Sequence, residues 1–309
     1  MTAGRRGDHA VLWLLAAVMF VCAAASIGFG AIDFTVGGMG SAVWSALTSD
    51  APLTLSQRIF LEIRVPRALL GLLVGACLGV GGTLMQALFR NPIVEPGLVG
   101  TSSGAALGAS LYFVIGTASG VSAVWALPGA ACLGGVFATW LVFALARSRH
   151  DGRSSIVMLL LTGLAVNALC LSGIGFLSYI ARDPQARSII YWNLGTLSGA
   201  NWTSTAVVGL ATVVGTALSL FHAKPLNALM IGEEEASALG VNVKRLRWIV
   251  LTINVLMVAV ATAFTGVIAF VGLIVPHILR VAHGSDNRFL IAGSAILGAT
   301  LLSAADLVA

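Results

Sequence analysis

The sequence predicts an all-α fold, a polytopic bundle of transmembrane helices, and three observations support this prediction. The chain of 309 residues is 58% hydrophobic and only 9% charged, with a mean hydropathy of +0.97. Its apolar runs approach 20 residues, the length at which a helix crosses about 30 Å of hydrocarbon. The runs are apolar on every side, whereas strands of a membrane barrel alternate in pieces of about 10 residues. We expect one transmembrane domain over residues 1–309.

Nine spans are predicted from the apolar runs. The eighth is short and contains Pro276, so a broken helix is expected there. Arg5 and Arg6 before the first run resemble the start of a secretory signal, but the many later spans favour an uncleaved first helix. The predicted spans are 11–32, 67–88, 97–116, 122–146, 155–181, 203–222, 247–268, 270–283 and 289–308.

The distribution of basic residues predicts the orientation, because Lys and Arg gather in cytoplasmic loops. An inner N-terminus places twelve basic residues inside and five outside, which accounts for all 17. The inner residues are Arg5, Arg6, Arg90, Arg147, Arg149, Arg153, Lys224, Lys244, Arg245, Arg247, Arg280 and Arg288; the outer ones are Arg58, Arg64, Arg67, Arg182 and Arg187. The net charge of +5 therefore indicates topology. No basic cluster interleaved with aromatic residues suggests a nucleic-acid partner.

The chain carries no recognisable catalytic motif. There is no P-loop, no G-x-S-x-G and no H-E-x-x-H, so nucleotide hydrolysis and acyl transfer are not expected. The four cysteines sit singly inside apolar runs, without spacing that holds a metal. We therefore predict no catalytic site, no metal site and no cofactor bound by this chain.

The sequence predicts a polar cytoplasmic loop over 223–246, and this loop contains a candidate coupling helix over Glu233–Leu239. Its first glutamates favour a helix N-terminus, and Gly240 is placed to cap its end. The helix is only about 10 Å long, and so short a helix needs tertiary support. We interpret it as a surface against which a soluble partner pushes; the alternative is a loop helix without a partner. The assigned residues are Gly232, Glu233, Glu234, Glu235, Ala236, Ser237, Leu239 and Gly240.

A second polar motif, Arg64-Val65-Pro66-Arg67, lies at the outer end of the second span. Two arginines beside a proline serve equally well as interfacial anchors. The functional interpretation is that their guanidinium groups are held in place, face outward and bind carboxylates of a soluble partner through paired hydrogen bonds. We expect Glu62 to hold one of them until that partner arrives.

A third segment, 86–100, joins two spans through two proline breaks, at Pro92 and at Pro96-Gly97. Such breaks turn the chain sharply at the inner face and keep Arg90 and Glu95 near whatever docks there. Glycines recur every four residues on both sides of the segment, which predicts close helix packing. They are Gly71, Gly75, Gly79, Gly100, Gly104 and Gly108.

Together these motifs resemble the FecCD family, the permeases of binding-protein-dependent ABC importers for ferric siderophores, heme and cobalamin. The resemblance runs from Arg64 to the last residue, through R-V-P-R, R-N-P-I-V-E-P-G, G-E-E-E-A-S-A-L-G and F-V-G-L-I-V-P-H. It implies a dimer of two copies in the bacterial inner membrane, two cytoplasmic ATPase subunits that use ATP and Mg, and a periplasmic binding protein. Segment 233–239 would be the coupling helix, and Arg64 and Arg67 would pair with glutamates of the binding protein.

The resemblance also implies a type II importer permease with ten spans, so we expect the sequence to stop before the last one. Asp306, near its end, is interpreted as an interfacial or capping residue. The expected path wall is the fifth span, through Asn167, Ser172 and Ser178. His277 belongs to the family motif, and we assign it no metal.

Segment 182–195 is similar to heme permeases, so heme is the first substrate candidate, a ferric siderophore the second and cobalamin the third. Two other functional classes remain as alternatives. An ion-coupled secondary transporter needs ion sites near the midplane, but the acidic residues lie in loops or at span ends. A purely structural membrane subunit leaves the coupling segment without a purpose.

Overall fold

The computed structural model describes residues 2–28, 38–40, 44–45, 54–116, 124–146 and 156–309. Within these ranges the chain is helical throughout, apart from short turns and connections, and contains no β-strand. The predicted all-α class is confirmed. The helices in chain order are α1 (Thr2–Gly28), α2 (Leu55–Phe89), α3 (Thr101–Leu111), α4 (Ala126–Leu145), α5 (Ile156–Ile180), α6 (Asp183–Leu194), α7 (Trp202–Phe221), α8 (Ala223–Ile231), α9 (Glu233–Ala238), α10 (Val243–Thr265), α11 (Val271–His283) and α12 (Asn287–Val308).

Seven helices of the described chain, namely α1, α2, α4, α5, α7, α10 and α12, are long and apolar enough to cross a membrane. The other two predicted spans are shorter. Gly100, with a φ of +90°, divides 97–116 into a 3-10 turn at Pro96–Val99 and helix α3, which continues as a π-helical segment at Tyr112–Gly116. The eighth predicted span is α11, of 13 residues. The protein is a multi-pass membrane protein.

Helix α2 begins at Leu55, well before the predicted start at residue 67, and continues through Pro66. A π-helical segment, Ile59–Arg64, precedes the proline. Proline has no N–H to donate, so a carbonyl one turn back needs another partner. Trp202 Nε1 donates to the Leu61 carbonyl at 3.0 Å. This bond satisfies that carbonyl and fixes the start of α7 against α2.

Two further predictions about helix breaks are wrong. Pro276 does not break α11, which is continuous; the non-helical stretch is 266–270, just before it. Segment 223–246 is not mainly a loop, because α8 and α9 lie within it and α10 begins at Val243. Helix α8 forms because its apolar residues recur at helical spacing, and Ala223, Leu226 and Leu229 are buried on its inner face.

The predicted glycine packing is confirmed. A Cβ atom at Gly75 would overlap the carbonyl oxygen of Gly298 in α12, and one at Gly79 would overlap that of Ser294. In α3, a Cβ at Gly104 would meet Ala138 and Gly134 of α4. Small residues let two helix backbones approach this closely. Glycine spacing therefore sets the packing of α2 on α12 and of α3 on α4.

The bundle has two ends, which we name by their residues. The Arg67 end contains Arg67, the last turn of α12 and the start of α7. The α9 end contains α9, the first turn of α10 and the turn between α11 and α12. Contacts place Arg90, Arg247 and Arg280, three of the predicted inner basic residues, at the α9 end. Arg147, Arg149 and Arg153 lie outside the described residues. The placement of the N-terminus inside the cell stays a prediction.

Replacing Gly75 with alanine should destabilise the bundle, because the new Cβ would overlap α12 backbone. Overpacking of this kind costs about 1–3 kcal/mol. Gly129→Ala is the matched control: it lies in α4 with no atom within 4 Å of the added Cβ, and alanine favours a helix by about 1 kcal/mol over glycine. We expect a lower thermal unfolding midpoint in detergent for Gly75→Ala alone. Equal midpoints for the two variants would contradict the packing argument.

Candidate functional site

Helix α9 is tied to the bundle through its first residue, Glu233. The Glu233 carboxylate accepts a hydrogen bond from Arg247 Nη2 at 2.8 Å and lies 3.9 Å from Arg90 Nη2. Arg247 belongs to the first turns of α10, and Arg90 caps the end of α2 with a φ of +51°. One carboxylate therefore joins three elements.

The end of α9 is capped as the sequence predicts. Gly240 has a φ of +81°, and its N–H donates to the Ser237 carbonyl at 3.0 Å. The Val241 N–H donates to the Ala236 carbonyl at 2.9 Å. These two bonds form a Schellman motif, which satisfies carbonyls that a helix end leaves unpaired. The last helical residue is Ala238, and Leu239 is the C-cap rather than part of the helix.

The residues of α9 and its caps divide into two faces. Gly232 and Ala236 are buried against the bundle. Glu234, Glu235, Ser237 and Leu239 are exposed on the opposite side, and Leu239 is 68% exposed. The short helix thus has the tertiary support that its length requires, and it presents an acidic and apolar face at the end of the bundle.

At the Arg67 end, the carboxylate that holds an arginine of the R-V-P-R motif belongs to Asp306. Arg67 donates from Nη2 to Asp306 Oδ1 at 2.8 Å and from Nε to Oδ2 at 3.1 Å. Asp306 lies in the last turn of α12, near the end of the span as the sequence predicts, and the bidentate pair with Arg67 is an additional contact that was not predicted. Glu62 lies instead 3.6 Å from Arg58, one helical turn before it.

The other arginine of the motif contacts the end of α1. Arg64 Nη1 donates to the Ile27 carbonyl at 3.3 Å, and Ile27 lies in the last turn of α1. A cation at a helix C-terminus is favourable because it meets the negative end of the helix dipole. Arg64 and Arg67 therefore both have partners within the chain, and they join α2 to two different helices, while their docking role stays a prediction.

A contact that the sequence analysis missed joins Glu95 to the start of α11. Glu95 Oε1 accepts the Phe270 N–H at 3.1 Å, and Phe270 has a left-handed φ of +67°. The Pro96 carbonyl next to it accepts Asn254 Nδ2 of α10 at 3.4 Å. Arg90, five residues earlier, points to the α9 end, but Glu95 does not. Only the position of a carboxylate just before Pro-Gly hinted at a capping role.

The three predicted path residues of α5 do not share one face. Asn167 accepts the Ser103 hydroxyl at 2.5 Å and so packs toward α3. Ser172 lies on the exposed face and donates to the Ala168 carbonyl at 2.9 Å. Ser178 is half-buried. The exposed face of α5 is otherwise apolar, with Leu161, Leu164, Leu171 and Phe176 among its residues.

Comparisons with known proteins agree with this architecture. The family model of the FecCD transport family matches residues 14–309. The hemin transport system permease HmuU of Yersinia pestis is 38% identical over 307 residues, covering 99% of this chain and 89% of that protein. The cobalamin import system permease BtuC of Halobacterium salinarum is 39% identical over 277 residues, covering 87% and 73%.

A solved structure also shares the fold. It is described as an inward-facing conformation of a metal-chelate type ABC transporter, with a TM-score of 0.83 and 29% identity. The match covers 96% of this chain and 89% of the other. The glycine-packed bundle, the capped helix α9 and these matches lead to one conclusion: the chain belongs to the FecCD transport family and is a membrane permease of the ABC importer class.

Proposed function

We propose that this permease moves an iron chelate, with heme preferred to a ferric siderophore, across the bacterial inner membrane by ATP-driven alternating access. The observation that carries the proposal is the division of α9 into an anchored and an exposed face. A helix held in this way transmits a push from a soluble partner into the bundle. The partner is a separate ATPase subunit, present in two copies, which uses ATP and Mg.

The route of the push follows from the contacts of Glu233. Its carboxylate bonds Arg247 at the start of α10 and approaches Arg90 at the end of α2. A displacement of α9 would therefore reach two long helices at once. Gly232, Glu233 and Ala236 hold α9, Gly240 ends it, and Glu234, Glu235, Ser237 and Leu239 contact the ATPase. The chain itself contributes no group to hydrolysis.

The Arg67 end would face the periplasm, which follows from the predicted inner N-terminus. Arg64 and Arg67 would there meet carboxylates of a periplasmic binding protein. A second copy of the permease would pack on this one to enclose the path. We assign the path wall to the exposed face of α5 through Ser172, whereas Asn167, which holds α5 against α3, and the half-buried Ser178 lie off that face.

Support for heme comes from two similarities. The relative named as a hemin permease matches almost the whole chain, and segment 182–195, which contains all of α6, resembles heme permeases. A cobalamin permease matches at nearly the same identity. Cobalamin is therefore the alternative substrate, and direct transport measurements separate the two.

Leu239→Asp should weaken ATPase binding, because a carboxylate would replace an apolar side chain at the contact. Burying a leucine contributes about 1.5–3 kcal/mol, so we expect roughly a tenfold loss of affinity or more. Leu55→Asp is the matched control, since Leu55 is 76% exposed at the opposite end. Binding is measured with the permease in nanodiscs. Normal ATPase binding and normal coupled uptake in Leu239→Asp would reject the role of α9.

Glu233→Gln should keep the ATPase bound but lower the substrate transported per ATP, because the amide weakens the bonds that join α9 to α2 and α10. The ratio is measured in proteoliposomes. Glu234→Gln makes the same change on the exposed face and should preserve this ratio once the ATPase is saturating. A normal ratio in Glu233→Gln would contradict the proposed route.

Arg64→Glu combined with Arg67→Glu should weaken docking of the binding protein, since repulsion replaces attraction. We expect at least about a tenfold rise in Kd, with the ATPase still assembled. The control reverses two other exposed arginines at the same end, Arg58 and Arg182. Equal effects of the two double variants would indicate a general electrostatic field and not specific docking.

Uptake by proteoliposomes containing the full-length permease, its ATPase and its binding protein tests the substrate. Heme, a ferric siderophore and cobalamin are compared, each with and without ATP. We expect ATP-dependent uptake of heme. Uptake of cobalamin alone would retain the importer class and replace the substrate, and no uptake by an assembly that hydrolyses ATP would overturn the proposed function.

A further inference from the structure

Arg67 is already engaged by a carboxylate of its own chain. Its Nε and Nη2 atoms form one edge of the guanidinium group, and both donate to Asp306, at 3.1 and 2.8 Å. A bidentate pair combines two charge-assisted hydrogen bonds, which makes it stronger and more directional than a single bond. The Asp306 side chain is only 14% exposed, whereas that of Arg67 is 43% exposed. The pair therefore lies at the surface with its basic partner turned outward.

The same pair connects two helices at one point. Arg67 lies just inside the outer turns of α2, and Asp306 lies in the last turn of α12, 239 positions later. Further along, the two helices are held by the close contacts of Gly75 and Gly79. The ion pair thus fixes the end of α12, beyond the glycine contacts.

We propose that Asp306 is an intramolecular competitor for Arg67, so that a carboxylate of the binding protein must displace or weaken the Asp306 pair when it docks. This inference rests on the proposed docking role of Arg67. A carboxylate approaching Arg67 meets a pair with no net charge, because Asp306 cancels the cation. Asp306 therefore lowers the attraction at whichever edge of the guanidinium group the partner uses. Docking would release the end of α12 from α2.

The proposal predicts that removing a native ion pair strengthens docking. With the full-length permease in nanodiscs, Asp306→Asn should lower the Kd of the binding protein about two- to fivefold, the range expected for partly exposed pairs. Asp306→Ala should act in the same direction and serves if the asparagine variant does not assemble. Asp306→Glu keeps a carboxylate and should restore a Kd close to that of the unaltered permease.

Glu62→Gln is the matched control for charge. Glu62 lies at the same end and is paired with Arg58. Its replacement by glutamine removes one negative charge, as Asp306→Asn does. A general electrostatic field would shift the Kd equally for Glu62→Gln and Asp306→Asn. The competitor model requires a larger effect at Asp306, and it requires that effect to disappear when Arg67 is also replaced by glutamine.

Three results would overturn the proposal. Equal Kd shifts for Asp306→Asn and Glu62→Gln would mean that the general electrostatic field at this end, and not competition for Arg67, causes the effect. Weaker docking of Asp306→Asn would show that Asp306 holds Arg67 in its docking position. A gain that persists in Arg67→Gln would place the effect elsewhere. If the unaltered permease does not bind the binding protein, the proposed function is wrong, and the proposal about Asp306 is wrong with it. If the unaltered permease does bind, the Asp306 variants test the competitor proposal alone.

Discussion

The close approach of helix backbones to α2 is the constraint on which the rest of the structure depends. Gly75 and Gly79 allow the backbone of α12 to lie in contact with α2, and a Cβ at Gly82 would overlap the carbonyl oxygen of Gly272 in α11. Hydrocarbon surrounds a membrane bundle, so apolar burial does not drive its helices together as it does in water. Close van der Waals packing must hold them instead. Glycines on several sides of α2 make it the helix around which α11 and α12 are placed.

Helix α2 carries both arginines of the two proposed contacts and is packed against α12 and α11 between them. Arg67 lies near one end and Arg90 at the other, about 35 Å apart at 1.5 Å per residue. The proposed docking contact and the proposed coupling contact are thus on one packed helix. Packed helices shift as units and do not deform continuously. A motion of α2 relative to α12 would change the surroundings of Arg67 and Arg90 together.

The sequence predicts contacts that depend on local spacing better than contacts between distant residues. The glycines at every fourth position and the Gly240 cap were predictable because periodicity and capping are local properties. The start of α2 at Leu55 was not, since the predicted span began only after Pro66, and the π-helical segment and the Trp202 bond explain why the helix continues through the proline. The Arg67–Asp306 and Glu95–Phe270 contacts span 239 and 175 positions. No periodic pattern specifies which residues pair across such separations.

The Glu95 contact joins the connection that follows Arg90 to the start of α11. Non-helical backbone inside a membrane protein needs internal partners for its polar groups. Glu95 supplies one to Phe270, whose left-handed φ is unfavourable for a bulky residue. Arg90, which Glu233 approaches, begins the connection that ends at Glu95. Under the proposed coupling role, a displacement of α9 would reach α11 through the connection from Arg90 to Glu95, and α10 through Arg247. Two routes from the Glu233 carboxylate would let one displacement of α9 move the short helix α11 and the long helix α10 together.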